Sequence, residues 1–266
     1  MMMVERAGSP PRMPAVSFPD LRGRRVFITG GGSGIGAALV RAFVQQGARV
    51  AFVDVDTASS EALAGELARQ GGPAPWWRRC DVTDVDDLQR AIAEAATAMG
   101  AFHVLVNNVG SDDRHQLDAV TPDYWDQRIA INQRAAFFAI QAVTPGMREN
   151  GGGSIINLGS TGWQTKNGDY PCYATAKASV NGLTRGLAKP LGAQRIRINV
   201  LSPGWVMTRR QRELWLDAEG ERSLRENQCL PDKVLPEDIA AMAMFLASDA
   251  SRACTAQEFV VDAGWT

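Results

Sequence analysis

Short apolar runs rich in valine and isoleucine alternate with helical patterns along nearly the whole chain. Runs of this kind are typical of strands buried on both faces of a sheet. Strands separated by helices favour parallel pairing with right-handed crossovers. The sequence therefore predicts an α/β fold in one domain, a doubly wound seven-stranded parallel sheet with helices on both faces. The predicted strands are Arg25–Thr29, Arg49–Val53, Trp76–Arg79, Val104–Asn107, Ser154–Leu158, Arg197–Leu201 and Phe259–Val261.

The helical patterns lie between these runs, and two of them end just before a glycine, a common residue after a helix C-terminus. A longer irregular stretch, residues 205–234, follows the carboxyl end of a predicted strand, where loops often cover a ligand. Residues 1–19 are rich in Met, Pro and Arg, and we expect them to form a mobile tail before a single domain over residues 20–266. The predicted helices are Ile35–Gln46, Asp86–Met99, Tyr124–Met147, Tyr173–Gly192 and Glu237–Ala247.

The composition limits the classes of function. The 266 residues carry a formal net charge of −1, so neither nucleic acid nor an anionic membrane is expected as a partner. Four cysteines and two histidines show no paired spacing. We therefore expect no metal site and no disulfide framework, and a reducing, cytoplasmic location.

Residues 29–36 read TGGGSGIG and connect the first predicted strand to the first predicted helix. Glycines at such a corner allow a tight turn and a close approach of the backbone to a pyrophosphate, which the N-terminus of the helix then faces. This context predicts a Rossmann fold that binds a dinucleotide, with residues 20–266 as the dinucleotide-binding catalytic domain. The predicted contacts in this turn are Gly30, Ser33, Gly34, Ile35 and Gly36.

Asp54 ends the second predicted strand, 18 positions after Gly36. A carboxylate near this distance commonly binds the ribose 2′-hydroxyl of NAD and repels the 2′-phosphate of NADP. We therefore predict NAD as the cofactor. Asp54 has an alternative interpretation as a helix N-cap, with Asp56 as the rival for that position.

Tyr173 and Lys177 are spaced i and i+4 within a helical pattern, which places both side chains on one face of a helix. A free tyrosine has a pKa near ~10 and is a poor base at neutral pH. A nearby ammonium favours the phenolate and lowers that pKa. The pair therefore indicates a tyrosine that takes a proton from an alcohol or returns one to a carbonyl.

Together these motifs resemble the short-chain dehydrogenase/reductase family. They are the glycine-rich turn, residues 107–110 (NNVG), Ser160 and the Tyr173–Lys177 pair, in family order over nearly the whole chain. The resemblance implies that Tyr173 is the general acid/base and that Lys177 lowers its pKa and holds the nicotinamide ribose. It also implies that Ser160 hydrogen-bonds the substrate oxygen, and that Asn132 supports a proton relay through water to Lys177.

The resemblance further implies cofactor contacts along the carboxyl ends of the strands, with Asp81 on the adenine. Two positions depart from the family pattern, Val109 where alanine is usual and Pro190 where glutamate is common. Pro190 removes a backbone donor and can kink its helix, but neither departure touches the implied chemistry. The implied contacts are Asp81, Val82, Asn107, Asn108, Gly110, Tyr173, Lys177, Pro203, Gly204, Val206 and Thr208.

Each implied role has a plainer alternative. Ser160 is also readable as a turn serine, with Ser154 and Thr161 as rivals for the substrate hydroxyl. Asn132 is also readable as a polar residue that bends a helix, and Asp81 as an ordinary helix cap.

Four loops resemble those of the bacterial aldose 1-dehydrogenases, a group that includes D-xylose 1-dehydrogenases. They are residues 111–115 (SDDRH), 162–164 (GWQ), 226–230 (ENQCL) and 262–265 (DAGW). A sugar site needs fixed hydrogen-bonding groups and an aromatic plate, whereas a steroid or fatty-acyl site needs an apolar tunnel. Besides Asn227 and Trp163, the expected substrate contacts are Asp112, Ser160, Gln164, Tyr173 and Gln228.

Asp112 and Asp113 have an alternative interpretation as a solvated turn or as an interface salt bridge with Arg114. The resemblance implies an NAD-dependent enzyme that oxidises a cyclic aldose at C1 to the lactone, and a homotetramer built through the helices over 124–147 and 173–192. The alternatives are a ketone or 3-oxoacyl reductase of the same family and a non-catalytic regulator that binds NAD.

Overall fold

The computed structural model describes residues 16–71 and 74–266. Most of the predicted tail over residues 1–19 lies outside them. The described chain forms a seven-stranded sheet in the order β3-β2-β1-β4-β5-β6-β7, and every paired strand is parallel. The predicted fold class is therefore confirmed. The strands are β1 (Arg25–Thr29), β2 (Arg49–Asp54), β3 (Trp76–Arg79), β4 (Val104–Asn107), β5 (Gly153–Leu158), β6 (Ile196–Pro203) and β7 (Glu258–Val261).

Strand order reverses between β1 and β4, because β1 pairs with β2 on one side and with β4 on the other. Thr29 at the end of β1 is in register with Val53 of β2 and Asn107 of β4. The segments that follow β1, β2 and β4 therefore leave the sheet side by side. In open parallel sheets, ligands bind in the crevice at such a reversal.

Helices cover both faces of the sheet. One buried core includes Leu39, Phe43 and Met244 from the side of α1 and α9, where α1 is Gly34–Gln45 and α9 is Pro236–Ala247. The opposite core includes Leu88 and Ile140. The remaining helices are α2 (Thr57–Arg69), α3 (Val85–Met99), α4 (Pro122–Ile129), α5 (Ala135–Glu149), α6 (Pro171–Gly192), α7 (Arg209–Leu214) and α8 (Ala218–Asn227).

The single helix predicted over 124–147 is interrupted. A π-helical turn, Ala130–Arg134, separates α4 from α5. Within this turn the Asn132 amide donates a hydrogen bond of 3.0 Å to the Arg128 carbonyl, so the side chain competes for the backbone acceptor. Asn132 thus does mark a local irregularity, as its alternative interpretation proposed.

Two other local features differ from the sequence-based expectations, the helix α2 and the position of Pro190. The helix α2 was not predicted, although Asp56 caps it by accepting a hydrogen bond of 3.0 Å from the Ser59 amide. The stretch 205–234, which we expected to cover a ligand with loops or helices, contains α7 and α8. Pro190 lies in the last turn of α6, which continues to Gly192, so it ends the helix rather than breaking its middle. Among the described residues, no helix is long and apolar enough to cross a membrane.

Candidate active site

A cavity of about 780 Å³ opens at the carboxyl ends of the strands, between the sheet and the α7–α8 segment. Residues predicted from several distant motifs converge on it. Since these residues lie on α1, α6 and α8 and at or just after the ends of β4, β5 and β6, only the assembled sheet brings them together. The predicted residues that line the cavity are Ile35, Asn108, Gly110, Asp112, Ser160, Tyr173, Lys177, Pro203, Gly204, Val206, Thr208 and Asn227.

Lys177 lies on α6, one turn after Tyr173, and its side chain is buried with 3% of its surface exposed. The ammonium donates a hydrogen bond of 2.8 Å to the Leu158 carbonyl at the end of β5. Its Nζ lies 5.8 Å from the centroid of the Tyr173 ring. Burial lowers the pKa of Lys177 to about 8, while the charge of Asp112 opposes this shift.

The Tyr173 hydroxyl is less acidic in this structure than the sequence suggested. Burial raises its pKa above the ordinary value, and a hydrogen bond with Ser160 and the charge of Arg114 oppose that shift. Burial of Tyr173 therefore works against the lowered pKa that the spacing to Lys177 led us to expect, and the effect of Lys177 on this pKa stays a prediction. Desolvation disfavours the charged forms of both buried groups and is the largest influence on each pKa.

Ser160 follows β5, and its Oγ also accepts a hydrogen bond of 3.0 Å from the Gly162 amide, so it is a turn serine as well. The rivals hold other positions. Ser154 donates to the Leu246 carbonyl at 2.8 Å, and Thr161 to the Pro203 carbonyl at 3.4 Å. The hydroxyl that meets Tyr173 is thus that of Ser160.

Asn132 is buried, and its Oδ1 accepts a hydrogen bond of 2.8 Å from the Ser111 amide. Because Gly110 has no side chain, a small space remains between Asn132 and Lys177. A Cβ on Gly110 would stand 3.1 Å from the Lys177 Nζ and 3.3 Å from the Asn132 Oδ1. The ammonium and the amide oxygen therefore face the same small space, where a water molecule could connect them.

The glycine-rich turn has the geometry that a pyrophosphate needs. Gly30 has a φ of +70°, and a Cβ on Gly36 would stand 1.8 Å from the Gly30 carbonyl oxygen. The Asn108 amide fixes the turn by donating to the Thr29 and Gly30 carbonyls at 3.0 and 2.9 Å. Helix α1 begins after Ser33, whose side chain forms no cap. The first-turn amides of α1, beginning at Gly34, therefore remain available to an anion.

Asp54 holds this turn in place. Its Oδ2 accepts a hydrogen bond of 2.8 Å from the Gly32 amide, and its Oδ1 accepts one of 2.9 Å from the Asp56 amide. Because Asp56 caps α2, Asp54 is free of the capping role that its alternative interpretation gave it. A carboxylate at the end of β2, next to the glycine-rich turn, fits the ribose of a bound dinucleotide.

Asp81 and Val82 lie at the next strand end, after β3. Asp81 accepts hydrogen bonds from the Thr83 amide and hydroxyl at 2.9 and 2.8 Å. The cap of α3 is Asp84, since its side chain accepts from the Asp87 amide. Asp81 is therefore part of an exposed turn rather than the helix cap, and Val82 is buried below it.

Asp112 and Asp113 form ion pairs within the chain. Asp112 pairs with Arg210 and accepts a hydrogen bond of 2.9 Å from the Gln211 side-chain amide. Asp113 pairs with Arg128 at 2.6 Å and with Arg210 at 3.0 Å. Because α7 places Arg210 against both carboxylates, their partners within the chain are not Arg114, and a salt bridge with Arg114 across an interface stays an alternative.

The chain matches a family model and several characterised relatives. The family model described as "Enoyl-(Acyl carrier protein) reductase" matches residues 30–266. A probable galactose dehydrogenase of Rhizobium meliloti is 47% identical over 252 residues, which cover 95% of this chain and 98% of the relative. The chain belongs to the short-chain dehydrogenase/reductase family. The relatives of this chain include further dehydrogenases, so this chain is a dehydrogenase of that family.

Two more members of the family are informative. The D-xylose 1-dehydrogenase of Caulobacter vibrioides is 47% identical over 254 residues, covering 95% of this chain and 100% of the relative. The structure of a gluconate 5-dehydrogenase from Burkholderia cenocepacia, in complex with NADP and tartrate, superposes with a TM-score of 0.85 at 32% identity. This superposition covers 93% of this chain and 97% of that one.

The substrate side of the dehydrogenase was predicted less well than its catalytic side. Gln164, Gln228 and Trp163 are absent from the cavity wall. Gln164 ends the short helix after Ser160, and the Gln228 Nε2 is buried without a hydrogen-bond partner among the described residues. The sequence analysis did not name several residues of the cavity wall as substrate contacts, although two of them lie in loops 111–115 and 262–265. Several of these residues are aromatic, and the many tryptophans of the chain were the available signal for them. The unnamed wall residues include Arg114, Asn167, Tyr170, Trp205, Gln211, Trp215 and Trp265.

Proposed function

We propose that this dehydrogenase oxidises a cyclic aldose, a D-xylose-like pentose or a hexose, at C1 to the lactone with NAD. The main support is the cavity around Ser160 and Tyr173, whose walls combine carboxylates and amides with indole rings. Such walls suit a polyol, which offers many hydroxyls and an apolar ring face. The two relatives at 47% identity are named as galactose and D-xylose dehydrogenases, which supports the same substrate class.

The chain's own residues account for the proton and the position of the substrate. The anomeric hydroxyl sits between Ser160 and Tyr173, and the Tyr173 phenolate accepts its proton. Lys177 carries that proton away from the buried tyrosine through a water molecule that Asn132 holds, because Lys177 and Asn132 both face the space beside Gly110. A bound oxidised nicotinamide would supply the hydride acceptor for C1, and its positive charge would favour the Tyr173 phenolate against the effect of burial.

The proposal of NAD rather than NADP is supported by Asp54. Its carboxylate is fixed by the Gly32 and Asp56 amides at the point where the ribose is expected. A 2′-phosphate placed near that carboxylate would be repelled by about 1 kcal/mol or more. The related gluconate 5-dehydrogenase was solved with NADP, so the family as a whole does not decide the cofactor.

The alternatives receive less support from the site. A 3-oxoacyl or other acyl reductase agrees with the description of the matching family model, but an acyl chain prefers apolar walls. A regulator without activity does not require Tyr173, Ser160, Lys177 and Asn132 to meet in one cavity. We further propose a homotetramer formed through α4, α5 and α6, which size-exclusion chromatography with light scattering tests.

The direct test is a substrate panel followed by NADH absorbance. It contains aldopentoses, aldohexoses, a hydrophobic secondary alcohol and, in the reverse direction with NADH or NADPH, a ketone and a 3-oxoacyl thioester. We expect aldoses to be oxidised with NAD at rates well above the other compounds. Turnover of only the alcohol or the acyl substrate would contradict the proposal, and turnover of none would favour the regulator.

A further inference from the structure

Arg114 is a cation of the cavity wall that the motifs do not explain. The two acidic residues before it, Asp112 and Asp113, form their ion pairs with Arg210 and Arg128. The Nε and Nη1 atoms of Arg114 are buried and have no hydrogen-bond partner within the part of the chain that the structure describes. A buried donor without a partner is costly, so this guanidinium needs an acceptor from outside the chain.

Two aromatic rings hold the guanidinium in place. Its Cζ lies 4.3 Å from the centroid of the Tyr170 ring and 4.7 Å from that of the Trp215 ring. Such cation–π contacts fix the plane of the group. Tyr170 in turn packs edge-on against Tyr173, with 5.5 Å between the ring centroids. The guanidinium is therefore separated from the catalytic tyrosine by a single aromatic ring.

We propose that Arg114 binds the hydroxyls of the sugar that lie away from C1, as a specificity-determining residue of the aldose oxidation proposed above, on which this inference rests. The planar guanidinium presents parallel N–H groups that span two neighbouring oxygens. A sugar carries hydroxyls on adjacent carbons, whereas a simple alcohol or a 3-oxoacyl chain does not. Ser160 and Tyr173 hold the C1 end, and Arg114 holds the opposite end.

The position of Arg114 also affects the catalytic tyrosine. Its charge lowers the pKa of Tyr173, although less strongly than burial raises it. Loss of the charge therefore raises the pKa of Tyr173 further. In the plot of kcat/KM against pH, the fall on the acidic side should move to higher pH when Arg114 is replaced by a neutral residue. It should stay at the same pH when the replacement keeps the positive charge.

The experiment compares Arg114→Gln, Arg114→Lys and the control Arg212→Gln. Arg212 is an exposed arginine of α7 that does not line the cavity. For each variant, kcat/KM is measured with D-xylose, its monodeoxy derivatives and a secondary alcohol across pH, together with the Kd for NAD and Tm.

We expect Arg114→Gln to lower kcat/KM for xylose about 10- to 100-fold, mainly through KM, and to shift the fall on the acidic side to higher pH. The Kd for NAD should stay within about twofold, because Arg114 faces the sugar. Arg114→Lys should keep this fall at the same pH and lose part of the affinity. The deoxy sugar that lacks the contacted hydroxyl should be a poor substrate for the parent, yet lose little further in Arg114→Gln.

Several results would overturn the inference. Xylose kinetics of Arg114→Gln like those of Arg212→Gln would exclude the contact. Arg114 would have a structural role if both Arg114 variants lost kcat/KM equally for xylose and for every deoxy sugar, and if the Kd for NAD rose or the Tm fell. If the parent oxidises no aldose at all, the proposed function fails first, and that outcome is distinguishable because no xylose rate exists to compare.

Discussion

Burying Lys177 should destabilise the cofactor-free protein, and the effect should depend on pH. Burial lowers its pKa from the ordinary value of 10.5 to about 8, a shift that corresponds to about 3 kcal/mol. Because the folded pKa is lowered, the folded state binds fewer protons than the unfolded state between pH 8 and 10.5. The penalty is therefore complete below about pH 8 and disappears as the pH rises through this window.

Lys177→Met removes the titrating group, so it removes that pH dependence. Integrated over the two pKa values, the stability advantage of Lys177→Met over the parent should fall by about 2.5 kcal/mol between pH 7 and pH 10. Its absolute value at pH 7 also includes about 1–3 kcal/mol lost when the Leu158 carbonyl loses its donor. The difference between the two pH values is the sharper quantity, because that loss cancels in it.

Urea unfolding without cofactor, at one protein concentration and at both pH values, measures this difference. Lys189→Met is the matched control, because Lys189 is exposed on the same helix. Its stability relative to the parent should change little with pH. A Lys177→Met difference that is equally insensitive to pH would refute the argument that Lys177 is held in a desolvated site with a lowered pKa.

Three further predictions concern the chemistry and the cofactor. Tyr173→Phe should lower turnover at least about 100-fold, since it removes the proton acceptor, and titration should show nearly unchanged NAD binding; turnover within tenfold of the parent would exclude Tyr173 as the base. Asp54→Asn should lower the ratio of kcat/KM for NAD to that for NADP about fivefold or more, because about 1 kcal/mol of repulsion is lost. If this ratio is unchanged, a group other than Asp54 sets the preference. Gly36→Ala should lower kcat/KM about 100-fold, because the new Cβ would stand 1.8 Å from the Gly30 oxygen and displace the turn. Gly65→Ala, which meets only the end of the Arg69 side chain, is its control, and equal activity of the two variants would refute the steric argument.

The sequence predicted those parts of the site whose geometry is set by residues close together along the chain. The turn from Gly30 to Gly36 needs small residues within one βα corner, and Tyr173 and Lys177 share a helix face because of their spacing. Parallel strands then bring such segments to one edge of the sheet. For this reason the sequence alone predicted the fold and the catalytic residues.

The parts that sequence did not predict depend on partners far along the chain. Asp112 is paired with Arg210, 98 positions away, and not with the neighbouring Arg114. Arg114 instead stacks on Trp215, which only the α7–α8 segment brings to the cavity. The raised pKa of Tyr173 likewise depends on how the assembled fold buries it, which the spacing to Lys177 does not reveal.

An isotope experiment follows the proposed transfer of hydride from sugar C1 to NAD. The parent enzyme is given D-xylose deuterated at C1 with NAD, and the mass of the NADH and the identity of the sugar product are measured. We expect the NADH to carry the deuterium and xylonolactone or its hydrolysis product to appear in equal amount. NADH without deuterium, or an oxidised carbon other than C1, would contradict the proposed transfer.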